Sequence, residues 1–451
     1  MSAEGNDGNG PRGTGSGNWE GRSIHLIGVG GAGMSGLAWA AHRLGASVTG
    51  SDRSDSSYME RLRDAGIEVT VGHDPANVPD GAEIVVSTAI AGDNPELAAA
   101  GERGLRIRHR SELLAEISSS RRQIAVAGTH GKTTTTGMLT YALRELGHDP
   151  SFFIGGELPG FGPVGGAANS GWGEGEWVVI EADESDGSFL TLDPEVAVIT
   201  NIEMDHHGRW ENLAQLRGAF RDFAGKARAV VLPVADHELA GELIAEERSI
   251  TPFDLSRPGP GELELAVPGQ HNRLNARAAV GALMAAGFGE AESAAALSGF
   301  PGVKRRQEFK GECEGARVYD DYAHHPTEVR AALEAIREFD PERLIAVFQP
   351  HLYSRTKIFS QQFGAALSRA DEIVVLDVYP AREEPVGPLA GVSGLDVLRA
   401  AADRAGGKPS YWARDLDSAE RIVRTRAGAD AVIATIGAGD ITKLSDRLVA
   451  S

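Results

Sequence analysis

Short apolar runs alternate with helix-compatible stretches along most of this 451-residue chain, and this alternation is the feature that most constrains its fold. IHLIGV, which begins at Ile24, and QIAVAG, which begins at Gln123, each lead into a glycine-rich turn and then a helical stretch. Strands that alternate with helices form parallel sheets. Three such series of different sequence follow one another, so we expect an α/β protein with three domains.

The predicted domain bounds follow from composition. They are a disordered tail at 1–20, a Rossmann-like domain at 21–120, a central P-loop α/β domain at 121–299 and a Rossmann-like C-terminal domain at 300–451. The tail is rich in Gly, Asn and Ser and lacks the apolar run of a signal peptide. The polar stretch 118–122 and the segment around Pro301 give the two inner boundaries.

The first glycine-rich turn, at 28–33, has the spacing GxGxxG between a strand and a helix. Its glycines allow backbone N–H groups to approach a diphosphate at the helix N-terminus. Asp52 ends the next strand, where an acidic side chain commonly binds a ribose hydroxyl. The motif favours a nucleotide over a turn without a ligand, but it does not separate a dinucleotide from a nucleoside diphosphate. The candidate contacts are Gly28, Gly30, Gly31, Ala32, Gly33, Met34, Ser35 and Asp52.

The second glycine-rich turn, GTHGKT at 128–133, also follows a strand and begins a helix. This arrangement predicts that backbone amides surround a phosphate, that Lys132 binds β- and γ-phosphate oxygens, and that the Thr133 hydroxyl binds Mg²⁺. The first glycine of GxxxxGK[ST] would fall on Val126, so the motif is a variant P-loop.

Acidic and polar segments follow several other strands. EADESD at 181–186 and NIEMDHH at 201–207 each end a strand candidate of the central series. Singly, each is typical of a solvated loop, but beside a P-loop they predict a Mg²⁺ site. In the third series, DDYAHHPT at 320–327 and QPHLYSRT at 349–356 end strands at the edge where open α/β sheets bind ligands.

Two further segments have competing interpretations. HNRLN at 271–275 begins a helix. Asn272 could be the N-cap of that helix or a ligand contact, and the sequence favours neither. The run Lys304-Arg305-Arg306 is typical of a solvated face when considered alone.

Charge and cysteine content exclude several classes of function. The 44 Lys and Arg residues oppose 64 Asp and Glu residues, giving a formal charge of −20. This balance argues against a nucleic-acid or anionic-membrane partner. The one cysteine, Cys313, excludes a disulfide within the chain and a cysteine-cluster metal site, and it favours a cytoplasmic location.

Seven motifs occur in one order from Gly28 to Ile441: GVGGAGMSGLA, GTHGKTTTT, EADESD, PGQHNRLNA, DDYAHHPTEV, QPHLYSRT and GAGDI. In this combination the chain resembles the Mur ligases, and within that family the branch that adds L-alanine to UDP-N-acetylmuramate. The resemblance implies an ATP- and Mg²⁺-dependent enzyme of peptidoglycan synthesis. Its N-terminal domain would hold the UDP part of the substrate, its central domain ATP, and its C-terminal domain L-alanine.

The resemblance also implies roles by position. ATP would contact Gly128, Thr129, His130, Gly131, Lys132, Thr133 and Thr134 through its phosphates, and His271, Asn272 and Asn275 on the adenine side. Mg²⁺ would bind Thr133, Glu181 and His206. The amino acid and the reacting carboxylate would meet Tyr322, His324, His351, Arg355 and Arg305. Lys132, His324 and Arg355 would be catalytic, with Asp321 or water as alternatives to a base near His324.

The implied reaction transfers the ATP γ-phosphoryl group to the lactyl carboxylate. The amine of L-alanine then attacks the acyl phosphate and releases phosphate. Two departures concern this chemistry: Leu352 stands where many relatives have a second arginine, and Gly208 stands where they have an acid. The alternatives are a ligase that attaches a whole tripeptide, an NAD-dependent oxidoreductase, which would explain GxGxxG alone, and a nucleotide-dependent regulatory binder. A monomer or homodimer is expected.

Overall fold

The computed structural model describes residues 18–162, 168–205, 209–256, 265–381 and 383–450. It contains three mainly parallel sheets, formed in turn by successive parts of the chain and covered by helices. This confirms the predicted three-domain α/β fold. In the part of the chain that the structure describes, no helix combines the length and apolar character that a bilayer span requires.

The N-terminal sheet is built from short strands with buried centres. Its strands are β1 (Ser23–Ile27), β2 (Ser47–Asp52), β3 (Glu68–Val71), β4 (Glu83–Val86) and β5 (Ile107–His109). Its helices are α1 (Ala32–Arg43), α2 (Ser57–Asp64), α3 (Pro95–Glu102) and α4 (Arg110–Ser118). The order β3-β2-β1-β4-β5 puts β1 in the middle, so the turn after it opens at the centre of the carboxyl edge.

The predicted tail is too long at its C-terminal end. Trp19 is only 7% exposed and packs in the N-terminal core, with the Arg22 guanidinium 4.3 Å from its ring centroid. Order therefore begins before residue 20, whereas residues 1–17 lie outside the described part.

The central sheet consists of β6 (Arg122–Ala127), β7 (Ser151–Leu158), β8 (Ala168–Gly171), β9 (Trp177–Glu181), β10 (Val196–Ile199), β11 (Ala229–Pro233) and β12 (Ser249–Phe253). Its helices are α5 (Lys132–Glu145), α6 (Leu213–Ala224), α7 (His237–Ala245), α8 (Gln270–Ala286) and α9 (Glu290–Ala296). The order β12-β11-β10-β6-β9-β7-β8 makes β9 and β10 the neighbours of β6. The segments that follow these three strands therefore share one edge.

The C-terminal sheet consists of β13 (Glu308–Cys313), β14 (Ala316–Asp321), β15 (Arg343–Phe348), β16 (Glu372–Leu376), β17 (Ser410–Ala413) and β18 (Ala431–Ile436). Its helices are α10 (Pro326–Arg337), α11 (Tyr353–Leu367), α12 (Gly394–Ala402), α13 (Leu416–Arg426) and α14 (Thr442–Val449). The order is β13-β14-β18-β15-β16-β17, and only the β13–β14 pair is antiparallel.

The N-terminal and central sheets share one continuous apolar core. Helix α1 packs against β8 at Gly36, where an added Cβ would lie 2.8 Å from the Cβ of Ser170. A larger residue there would overlap the Ser170 side chain, so α1 or β8 would have to shift.

Candidate active site

One cleft collects residues from the carboxyl edges of all three sheets. Its cavity volume is about 730 Å³, and its walls include Gly33 after β1, Lys132 after β6, Glu181 at the end of β9 and His324 after β14. The structure therefore brings together motifs that are separated by most of the chain.

The phosphate loop is held by neighbouring residues as well as by its own side chains. Gly128 and Gly131 have φ values of +137° and +82°, and an added Cβ would overlap Thr200 and Asn275, respectively. Asn201 accepts a hydrogen bond from the His130 backbone N–H and donates one to its carbonyl, both at 2.9 Å. The loop is thus fixed before any ligand binds.

Lys132 points into this loop. Its Nζ donates to the Gly128 carbonyl at 2.6 Å and lies 2.8 Å from the nearest Glu184 carboxylate oxygen. Burial alone would lower the pKa of Lys132, but the carboxylates of Glu184 and Asp183 outweigh it and raise the pKa. The lysine therefore carries a full positive charge where a phosphate would bind.

Thr133 and Glu181 form a pair of oxygen donors. The Thr133 hydroxyl donates to Glu181 Oε1 at 2.9 Å, and the Gly155 N–H donates to Oε2 at 2.6 Å. Burial raises the pKa of Glu181, so its ionised form would gain from a cation. A hydroxyl and a carboxylate are ligands that Mg²⁺ prefers, and the pair fits that ion. His206 and Gly208 lie outside the described residues.

His130 of the phosphate loop lies between two carboxylates. Its Nε2 is 3.4 Å from Glu203 Oε2 and its Nδ1 is 3.2 Å from Glu328 Oε1. Burial alone would lower the pKa of His130, but these two carboxylates raise it to about 9. His130 is therefore an imidazolium that joins the segment after β10 to helix α10.

His324 has the opposite character. Its Nδ1 lies 3.1 Å from the Tyr322 carbonyl, which can only accept, so Nδ1 carries the hydrogen and Nε2 keeps its lone pair. Burial, and then the charge of Arg355, lower the pKa of His324 to about 3. A neutral imidazole can accept a hydrogen bond from an amine.

Arg355 lies in the first turn of helix α11 and is buried. Its Nη2 lies 3.3 Å from both carboxylate oxygens of Asp205, and its Nη1 lies 3.4 Å from His351 Nδ1. The ring of His351 in turn stacks on Tyr379 at 5.8 Å. Asp205 thus lies at the position on the Arg355 guanidinium where the carboxylate of a ligand would bind.

Arg305 and Arg306 differ in what they reach. Arg305 donates to Asp320 at 3.1 Å and to the Gly437 carbonyl at 2.8 Å, so it is tied to its own domain although it lines the cleft. Arg306 reaches the Thr133 hydroxyl at 3.4 Å. The sequence-based prediction named only Arg305 as a contact. The backbone at Arg305 is left-handed, with φ +60°, and the side chains of Arg305 and Arg306 point in different directions.

A second cavity of about 610 Å³ lies on the other side of the phosphate loop and contains the candidate adenine-side residues His271, Asn272 and Asn275. The N-cap of α8 is Gly269, so Asn272 does not have that role. The Asn272 side chain donates to the Pro268 carbonyl at 2.6 Å. Burial lowers the pKa of His271 to about 4, so its imidazole is uncharged.

The glycine turn after β1 is closed by Asp52, whose Oδ2 accepts the Gly30 N–H at 2.9 Å. Ala32 and Gly33 face the cleft, whereas Met34 is buried and the Ser35 hydroxyl donates to the Ala32 carbonyl at 2.9 Å. Gly28, at φ +84°, and Gly31, the N-cap of α1, shape the turn. Asp52 thus supports the turn, and its contact with a ribose stays a prediction.

Sequence reasoning did not assign a role to Asn201, Glu203 or Glu328. The first two lie in the segment after β10 that was noted only for its Asp and His residues. The available signal for Asn201 and Glu203 was that polar side chains follow a buried strand. Glu328 gave none, because a glutamate three residues after an N-cap is ordinary.

Three family models match successive parts of the chain. They are described as "Mur ligase family, catalytic domain" for residues 23–122, "Mur ligase middle domain" for 126–256 and "Mur ligase, glutamate ligase domain" for 305–439.

Curated relatives match over nearly the whole length. The chain is 43% identical to the UDP-N-acetylmuramate–L-alanine ligase of Renibacterium salmoninarum, covering 93% of this chain and 94% of that protein. It is also 43% identical to the enzyme of the same name from Kineococcus radiotolerans, covering 94% and 95%.

Solved structures agree with these matches. The UDP-N-acetylmuramate-alanine ligase of Thermotoga maritima has a TM-score of 0.79 at 30% identity, covering 95% of this chain and 98% of that one. A murein peptide ligase from Psychrobacter arcticus has a TM-score of 0.66 at 25% identity, with the same coverage. On these similarities, and on a cleft assembled from all three domains, the chain belongs to the Mur ligase family.

Proposed function

We propose that this protein is an ATP-dependent ligase that joins the amine of L-alanine to the lactyl carboxylate of UDP-N-acetylmuramate. The observation that carries the proposal is one cleft whose walls combine Gly33 of the N-terminal domain, Lys132 and Glu181 of the central domain, and His324 of the C-terminal domain. The names of the full-length relatives support these substrates, and the higher TM-score of the alanine ligase favours a single amino acid over a peptide.

In the first half of the reaction, a lactyl carboxylate oxygen attacks the γ-phosphorus of ATP, and ADP leaves. Both partners are anions, so the chain must supply positive charge. Lys132, and Arg306 next to Thr133, would offset the repulsion and stabilise the charge on the transferring group. The backbone N–H groups of Gly131, Lys132 and Thr133 at the start of α5 would hold the β-phosphate, because those of Thr129 and His130 already donate to Asn201.

Thr133 and Glu181 would hold Mg²⁺, for which their oxygen atoms are suited. When bound, Mg²⁺ would neutralise part of the charge on the phosphates. His206 is proposed as a third ligand from the resemblance alone.

In the second half, the amine of L-alanine attacks the acyl carbon, and phosphate leaves. Nε2 of His324 would accept a hydrogen bond from the amine, direct its lone pair at the carbon, and pass the proton that the nitrogen loses to the departing phosphate. Asp321 is a poorer candidate base. Both its oxygens already accept backbone N–H groups, at 2.8 and 3.0 Å, and it borders the nucleotide-side cavity.

An ADP-release assay coupled to product analysis tests the proposal. Continuous ADP formation over many turnovers should require both UDP-N-acetylmuramate and L-alanine, with one amide formed per ADP. Glycine, L-serine and a tripeptide serve as competing acceptors of the acyl group. Preference for the tripeptide, or continuous ADP release without any amino acid or peptide, would overturn the assignment.

Replacing Arg355 with alanine should raise the KM for L-alanine about tenfold or more and leave the KM for ATP nearly unchanged. The guanidinium would pair with the amino-acid carboxylate in place of Asp205. Arg355→Lys should rescue little, because an ammonium cannot reproduce a planar two-point contact. Steady-state kinetics with each substrate varied would measure this, and equal effects on both KM values would refute the role.

We further propose the domain bounds 21–120, 121–299 and 300–451, a cytoplasmic location, and a monomer or homodimer. Limited proteolysis near Ser120 and Pro301, together with light scattering, would test the bounds and the oligomeric state.

A further inference from the structure

Glu328 touches both loops that the reaction must align. It lies in the first turn of α10, with its side chain 13% exposed. Its Oε2 accepts the backbone N–H groups of His324 at 3.0 Å and His325 at 3.3 Å. Its Oε1 lies 3.2 Å from Nδ1 of His130 on the phosphate loop. Oε2 therefore contacts the turn at His324 and His325, which we name the amine-binding turn, and Oε1 contacts the phosphate loop of the nucleotide site.

A second contact runs beside the first. The Thr327 hydroxyl donates to Glu203 Oε2 at 2.9 Å, and the same carboxylate faces Nε2 of His130. His130 is thus held from both sides, by the segment after β10 and by α10. The pKa of Glu328 is well below its usual value: burial would raise it, but the hydrogen bond and charge of the His130 imidazolium, together with the charge of Arg306, outweigh burial. The carboxylate is therefore ionised.

Helix capping explains only half of this geometry. A capping box needs one acceptor oxygen at the third helical position, and Oε2 already provides it. Oε1 takes no part in the cap. It points away from α10, toward an imidazolium of another domain and toward Nη1 of Arg306 at 3.9 Å.

The contacts of Glu328 with both loops matter for the proposed reaction. An acyl phosphate and an amine react fast only when they are held about 3–3.5 Å apart in a suitable orientation. The groups that would hold them belong to separate domains, and no covalent link fixes the distance between the two loops.

We propose that Glu328 is a positioning residue that couples the phosphate loop to the amine-binding turn, so that ATP and L-alanine are bound in a fixed mutual register. The inference rests on the proposed function and extends it to a residue that contacts neither reacting group. It follows that the charge on Glu328 affects the binding of both substrates.

Glu328→Gln separates coupling from capping, because glutamine retains one oxygen for the cap and loses only the charge that faces His130. We expect the KM for ATP and the KM for L-alanine each to rise about tenfold, the loss typical of a hydrogen bond between charged groups. The KM for UDP-N-acetylmuramate should stay within error of the wild-type value. Wild-type KM values for ATP and L-alanine would overturn the proposal.

Glu420→Gln is the matched control. Glu420 lies on α13 and pairs with Arg424 at 3.0 Å within the C-terminal domain. All three KM values should be unchanged in this variant. An equal rise there would mean that any charge lost from a helix of this domain has the same effect, and it would refute a specific role for Glu328.

His130→Gln provides the decisive comparison from the other side of the contact. It should raise the KM for L-alanine although His130 belongs to the nucleotide site, and adding Glu328→Gln should cause no further loss. Additive losses would indicate two independent structural effects and refute coupling. If Glu328→Gln does not fold, His130→Gln alone decides, and an unchanged KM for L-alanine overturns the proposal.

Calorimetric titration with MgATP, without amino acid, separates this proposal from the proposed function. If the wild-type protein forms no amide, the ligase assignment fails, but the binding experiment still stands. Glu328→Gln should weaken ATP binding about tenfold in the wild-type background and have no effect in the His130→Gln background. Equal weakening in both backgrounds would overturn the coupling.

Discussion

Lys132→Ala is expected to lower kcat/KM for ATP by about 10³-fold or more while the protein stays folded. The Lys132 side chain is the cation closest to the centre of the phosphate loop. Its pKa is raised, so it is charged at neutral pH, and changing the pH cannot make up for its removal. Charge stabilisation inside a cleft is worth far more than in water, because few water molecules are present to screen it. Single-turnover ADP formation measures the loss without interference from product release.

The same substitution should also lower the melting temperature, which must be separated from catalysis. Glu184, with its side chain 2% exposed, would lose the ammonium that lies 2.8 Å away. Breaking a buried pair typically costs about 3–5 kcal/mol. Adding Glu184→Gln should therefore restore much of the melting temperature and none of the activity.

Lys357→Ala is the control for removal of a positive charge. Its Nζ donates to the Pro388 carbonyl at 2.7 Å on the exposed surface of the C-terminal domain. It should leave both turnover and stability near wild type. Near-normal turnover of Lys132→Ala would exclude the phosphate-loop role.

Continuous apolar runs made several strands predictable from the sequence. β6, β9 and β10 contain such runs, because helices cover both sides of the central sheet. β8 and β13 are among the strands that were not predicted. They form the antiparallel edges of their sheets, they are short or polar, and β13 includes the exposed Phe309. Pairing with a neighbour, and not apolar composition, makes these segments strands.

The site residues were predictable where one local motif contains them, as with Lys132 and Thr133. They were not predictable where two domains meet. The pairing of Arg355 with Asp205 and of His130 with Glu328 joins residues 150 or more positions apart. Spacing along the chain carries no signal for such contacts. The choice between Arg305 and Arg306 likewise depends on one backbone angle.

The acidic composition is reconciled with anionic substrates by the same contacts. The formal charge of −20 is a property of the whole surface, whereas Lys132, Arg306 and the His130 imidazolium lie together at the phosphate loop. Several carboxylates of the cleft serve to hold these cations in place. A local positive field can therefore exist in a protein with a large negative charge.

Glu181→Gln is expected to raise the Mg²⁺ concentration needed for half-maximal activity by more than about 100-fold, since even outer-shell partners of metals contribute 10- to 100-fold. Glutamine fits the same space. Its oxygen can accept the Gly155 N–H, and its amide can donate to Thr133, whose hydroxyl can turn from donor to acceptor. The variant therefore changes charge with little change in shape. Activity titrated with Mg²⁺ at fixed ATP measures the effect.

A stability measurement tests the same assignment independently of turnover. MgADP should raise the melting temperature of the wild-type protein, because a ligand that binds only the folded state stabilises it. The shift should shrink strongly in Glu181→Gln. The control Glu195→Gln breaks a pair with Arg122, at 2.8 Å, near the opposite edge of the same sheet, and should keep the full MgADP shift. Unchanged Mg²⁺ dependence and an unchanged shift in Glu181→Gln would show that the metal is held elsewhere, because a carboxylate that ligates Mg²⁺ cannot lose its charge without a change in affinity.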